Sequence, residues 1–313
     1  MNIQEYHFLL AERGELERIL AKISPSRVID RLSFQSRLDS VNAELEKFPS
    51  SMREPVSARL TFRGRPVVGS YGIFAEFGAE AVAKFSKMVA AFAASFAGPL
   101  GQRGAIPNRD QYQLLITGKA LGSFGFELVE SLSDPQRDLN ISSPVENAIR
   151  QVQTLMQATL GSDDEQLADV LSEVDSRAIQ EVQGFVTLLE DNDALCTLEF
   201  GEKSFCFTSM KEVKRSVKRL SQENRVEQEQ SFTGCLQGVL PDQRSFEFRI
   251  MSDNTLLRGK VGKDIADAKE LNEFLDEILE INVHTTQIGK GNPCHVLLGY
   301  KCISRGITRA EKL

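Results

Sequence analysis

The chain has 313 residues, 41% hydrophobic and 26% charged, with a net charge of -7, so it is long enough for roughly two domains with cores of their own. An acidic balance excludes a global attraction to nucleic acid or anionic membrane and leaves such binding to a local patch. Five cysteines (Cys196, Cys206, Cys235, Cys294, Cys302) without a CxxC pair fit reduced thiols in a cytoplasm, not a disulfide framework or zinc ribbon.

The first twenty residues carry no basic stretch followed by an apolar core, so no signal peptide is expected. Residues 3–48 read as two helices joined at Ser24-Pro25. Phe34, Leu38, Val41, Leu45 and Phe48 repeat with 4-3-4-3 spacing, a coiled-coil seam. Tyr6, Leu9, Leu16, Leu20 and Ile23 repeat more loosely, with Arg13 interrupting. The expectation is a helical hairpin over 1–50 that docks on the body or joins the chain into a homo-oligomer through 3–48.

After a polar linker, 49–55, a central α+β domain is expected over 55–222. Arg63-Gly64-Arg65-Pro66 reads as a turn between β-rich runs. Residues 76–97 read as a buried helix with Phe85, Val89, Phe92 and Phe96 on its stripe; Lys84 and Lys87 and an alanine-rich composition argue against a membrane span. Residues 98–110 have no periodicity and read as a long loop. If it meets the earlier turn, Arg63, Arg65, Arg103 and Arg109 form a basic loop site.

"ITGKALGSFGFELVE", 116–130, is glycine-rich but is not a phosphate cradle. Gly118-Lys119 is followed by Ala120, and no glycine stands five residues earlier, as a P-loop requires. Alternation on both sides of Leu121-Gly122 predicts a β-hairpin, with glycines at a turn, a bulge or a close backbone approach. "FTGCLQG", 232–238, followed by "SFEFRI", echoes it. Helices are expected at about 143–160, 164–173, 175–190 and 209–222, and a hairpin at 194–207; "SQENRVEQEQ" reads as a boundary.

Residues 230–305 read as three strands, a helix (about 267–278, with Leu271, Phe274, Leu275 and Ile278 inward) and two strands. That order predicts a small β-barrel, OB-like or SH3-like.

Chemistry is sparse. With three histidines and no nucleophile elbow, a Ser-His-acid set cannot be ordered, and no catalytic residue, cofactor or metal site is assigned. Asp242, Asp267 and Lys269 formally match a metal-nuclease signature, but a turn and a helix cap account for both aspartates. His284 and His295 are expected on one face of the last hairpin, opposite Val283, Val296 and Leu298, with no full ligand set. Lys211, Lys214, Arg215 and Lys218 line one helical face, with Arg219 at its edge. Arg244, Phe246, Phe248, Arg249 and Arg258 are the barrel residues suited to a nucleic-acid strand. The sequence thus predicts a cytoplasmic binding protein of α+β class, contacting nucleic acid or an acidic protein partner and no membrane. A regulatory subunit without nucleic-acid contact is the alternative, and a nuclease the least favoured.

Overall fold

A computed structural model describes residues 3–47, 55–101, 103–120, 124–131, 142–221, 224–275, 277–289, 291–303 and 308–309. The fold is α+β. It divides into two compact units, 1–98 with 103–150 and 196–206, and 99–102 with 151–195 and 207–313. Of residues 55–222, most strands fall in the first unit and the later helices in the second. No helix among the described residues is long and apolar enough to cross a membrane.

In the first unit, α1 (Ile3–Lys22) and α2 (Val28–Leu45) pack on each other. Tyr6, Leu9 and Leu16 share one buried cluster with Leu38 and Val41. Arg37 adds a bidentate pair to Glu12, at 2.6 and 2.9 Å. Phe48 and most of the linker, with the turn at Leu121-Gly122, lie outside the described residues.

The unit's sheet runs β4-β5-β1-β6-β7, from β1 (Ser57–Gly64), β4 (Leu114–Ala120), β5 (Phe124–Glu130), β6 (Ala194–Phe200) and β7 (Lys203–Cys206). The predicted pairing of 114–120 with 124–130 is present and antiparallel, with a bulge between Ile116 and Gly118. On β1, Ala58, Leu60 and Phe62 are buried, as period-two alternation demands. A two-stranded ribbon, β2 (Val67–Val68) with β3 (Gly72–Ile73), precedes α3 (Ala75–Ser95). Phe85, Val89 and Phe92 are buried on α3, whereas Phe96 follows its last turn and is exposed.

Helix α4 (Pro144–Leu160) begins in the first unit and ends in the second. There α5 (Asp164–Ser172) starts on Asp163, whose carboxylate accepts from Glu165 N and Gln166 N, a side-chain N-cap. Then come α6 (Ser176–Asp191) and α7 (Met210–Leu220). The loop after α3 is tied to α6: Leu100 N donates to Asp175, and buried Arg177 donates to Gly101 O.

The second sheet runs β10-β9-β8-β11-β12-β13. Its strands are β8 (Arg225–Leu240), β9 (Ser245–Ile250), β10 (Leu256–Val261), β11 (Ile278–Ile288), β12 (Cys294–Cys302) and β13 (Thr308–Arg309). β10 also pairs with β12, in parallel, at Lys260↔Val296 and Val261↔Leu297. The inward residues Leu236, Phe246, Phe248, Leu257, Ile281, Val283 and Leu297 form one core.

Two expectations need correction here. Residues 225–230 are not a boundary but the first half of β8, paired to β11 from Arg225↔Ile288 onward. The expected helix at 267–278 is a 3-10 helix, Ala268–Phe274. Leu271 and Phe274 are buried as expected, but Leu275 and Ile278 are exposed, and Ile278 already belongs to β11.

Candidate polyanion-binding surface

Helix α7 is built from two unlike faces. Val213, Ser216, Arg219 and Leu220 are buried, while Lys211, Lys214, Arg215 and Lys218 are exposed. The exposed four recur at i, i+3, i+4 and i+7, which strings them over about 10 Å of helix axis. Among the described residues, Lys211, Lys214 and Lys218 have no carboxylate partner. Arg215 donates to Leu160 O at 3.1 Å and keeps its exposure. The helix starts at Ser209, and Glu212 reaches back to Thr208 N and Oγ1, at 2.7 and 2.8 Å. Those bonds, the backbone one first, hold the Glu212 carboxyl below its ordinary range, so it stays ionised at the helix start.

Arg219 does not join the stripe. Its guanidinium donates to the carbonyls of Ala158 and Thr159 at 3.2 Å, of Asp163 at 2.7 Å, and of Gly161. It also pairs with Asp164 Oδ1 at 2.7 Å. With Arg215 on Leu160 O, two arginines satisfy the carbonyl end of α4, where a cation also suits the helix dipole. Ser216 adds a buried hydroxyl contact to Thr159, at 2.7 Å. The cationic face is thereby held on a fixed base.

The barrel-region residues named from sequence separate into three kinds. Phe246 and Phe248 are buried in the core of the second sheet, so their rings are closed to a base. Arg244 has a left-handed backbone (φ 46°) and spends its guanidinium on Val261 O, Gly262 O and Ile265 O, at 3.2, 2.6 and 2.6 Å. It clips the start of β9 to the loop after β10 and is structural. Arg249 and Arg258 do face outward, yet Arg258 is paired to Glu247 at 2.8 Å across the strand. Lys260, on the same face by alternation, was missed because a lysine inside "RGKVG" gives no sign of its side without the register.

The two loops expected to converge lead to and from opposite ends of the β4-β5-β1 strands. Arg109 lines a cavity of about 300 Å³ with Ser86, Ala90 and Tyr112, beside the later turns of α3. Arg63 and Arg65 follow Phe62, which pairs with Phe124 at the start of β5, whereas Arg109 precedes Leu114, which pairs with Glu130 at its end. Arg103 is exposed in the loop between. Arg63 reaches Cys206 Sγ at 3.4 Å.

The histidines also separate. The register sets His284 against Val296 and Thr285 against His295, one residue off the expected pairing, so the two imidazoles lie on opposite faces. A bulge between Asn282 and Val283 sets Val283 and Leu297 in the core; Val296 and Leu298 are half-buried. Burial lowers the pKa of His295, whose Nδ1 lies 3.0 Å from Thr285 Oγ1. Cys294 sits beside α5, and burial first, then Asp169, Glu165 and Asp163, push its thiol up to about 11. It is a protonated thiol at neutral pH and no nucleophile. Asp267 Oδ1 caps its helix through Lys269 N at 2.8 Å, and Asp242 is exposed in the β8–β9 turn. Comparison with known protein families, curated proteins and solved structures finds no match to this chain.

Proposed function

We propose that the protein is a non-catalytic binding protein that grips the phosphate backbone of nucleic acid through α7. The observation that carries this is the exposed row Lys211, Lys214, Arg215 and Lys218, three of which have no intramolecular carboxylate among the described residues. Exposed, unpaired cations on a rigid helix release counterions from a polyanion at little ordering cost. In this reading the C-terminal sheet is a small closed barrel of the OB type. In support, β10 pairs with both β9 and β12, and a short helix separates the third strand from the fourth. Its outer face adds Arg249, Arg258 and Lys260, offset by Glu247. The N-terminal helices are the self-association segment, through Phe8, Val28, Ile29 and Leu32, which are exposed. Five cysteines outside any disulfide suit a reducing cytoplasm.

The test is affinity for single- and double-stranded oligonucleotides at two salt concentrations. Wild type binds at low salt and weakens steeply as salt rises. Lys214→Glu with Lys218→Glu reduces the log–log salt slope by about 2 and lowers affinity at least about tenfold. No binding at low salt removes the reading.

A further inference from the structure

The first unit exposes a second feature that packing does not explain. The ribbon β2–β3 turns at Gly69, whose φ of +52° is the left-handed region. Around that turn Tyr71 is 90% exposed, Phe74 58% and Val68 53%. Single exposed apolar residues are ordinary, but three in one short stretch make a patch. The ribbon is too short to stand alone and is held by its neighbours. Tyr71 N donates to Val68 O, and Phe74 N to the carbonyl of buried Pro66, each at 2.9 Å. Lys119 Nζ reaches Ser70 O at 2.5 Å while standing 4.3 Å from the centre of the Phe124 ring. Tyr71 is thus held in the hydrogen-bonded turn of the ribbon and Phe74 at the start of α3, where Gly78 N donates to its carbonyl, and neither is on a loose loop.

The surroundings are cationic. Arg63 near the end of β1 and Arg65 in the turn leading into the ribbon are exposed, and Lys119 lies against the residue before Tyr71. An ammonium has three donors, so two on Lys119 remain beyond Ser70 O. The acids next in the chain, Glu76 and Glu80, lie on α3, where Glu80 pairs with Lys84 at 3.6 Å. Flat exposed rings flanked by cations suit a ligand with π-faces and negative charge together. Unpaired bases on a phosphate backbone have both, and a duplex hides the faces.

We propose that the β2–β3 ribbon is a stacking platform for single-stranded nucleic acid, with Tyr71 and Phe74 against bases and Arg63, Arg65 and Lys119 against the flanking phosphates. It rests on the reading above for the ligand's class, but it uses other residues and predicts a preference for single strands that α7 alone does not.

The chain contains no tryptophan, so Tyr71→Trp creates a single reporter. That variant is titrated with a thymidine oligonucleotide of about twenty residues, a matched duplex and polyglutamate, with fluorescence anisotropy of labelled oligonucleotide as the independent measure of binding. The expected result is quenching by about half or more with the single strand and little change with the other two. Tyr71→Ala with Phe74→Ala weakens single-strand binding about tenfold with unchanged thermal unfolding, since both side chains are exposed. Binding seen by anisotropy with a silent indole reporter and a neutral double alanine variant overturns this proposal and leaves α7 standing. Equal quenching by polyglutamate overturns it in favour of an acidic protein surface. Absence of oligonucleotide binding at low salt overturns both readings.

Discussion

Gly125 has no room for a β-carbon: one built there stands 2.2 Å from Leu60 O and 2.5 Å from Thr61 Cα. The neighbour is backbone, so relief requires β1 and β5 to part at Thr61↔Gly125. Gly125→Ala therefore lowers stability by about 2–4 kcal/mol. Gly238→Ala meets nothing within 4 Å and changes it by less than about 1 kcal/mol. Urea denaturation measures both, as a shift in midpoint at constant slope; equal midpoints for the two variants contradict the account. Sequence alternation located Gly125 in a strand and raised close approach as its reason. It could not name β1 as the neighbour, because that pairing joins residues far apart in the chain. The histidines show how fine the limit is, since one bulge at Asn282/Val283 moved His284 and His295 to opposite faces.

At the scale of elements, α7 was legible because a helix with charge on one side and aliphatics on the other repeats at 3.6 residues. Arg219 was not, because periodicity fixes an angle around the helix and not what the neighbouring helix offers there. Its partners are carbonyls at the end of α4, invisible in any pattern of side chains. Arg219→Met leaves those acceptors and Asp164 without their donor, and its cost is about 2–4 kcal/mol. The loss is visible as a lower midpoint in chemical denaturation and as faster amide exchange at the α4–α5 turn; protection unchanged from wild type there contradicts the role. The first half of β8 escaped notice for a different reason. Residues 226–231 are exposed on both faces, so no alternation exists to be read. Glu227 and Glu229 on a stretch paired only to β11 are the kind of charge that guards a strand edge.

The whole molecule was the least legible level. Composition suggested three successive segments, whereas contacts divide the chain into two units that each draw on several segments. A linker can be recognised from composition; a return of the chain to an earlier unit cannot, because 196–206 looks like any other hairpin. Self-association belongs to this scale too. Tyr6, Leu9, Leu16, Leu38 and Val41 are buried together within one chain, while Ile29, 84% exposed, and Leu32 are not. Sedimentation velocity at micromolar concentration is expected to show a dimer that Ile29→Asp with Leu32→Asp converts to monomer. A wild-type monomer under those conditions rejects the idea.

The alternation of segments has a temporal side. β6 lies between β1 and β7 in the first sheet, and its residues from Cys196 onward belong to the first unit. A ribosome adding about 5–20 residues per second needs about 10–40 s to deliver the chain as far as Cys206. Until then β1 waits with one edge open, although β4 and β5 were delivered long before. The same interval is the one in which a nascent chain is most exposed to wrong strand partners, and a fragment cut at 150 never leaves it.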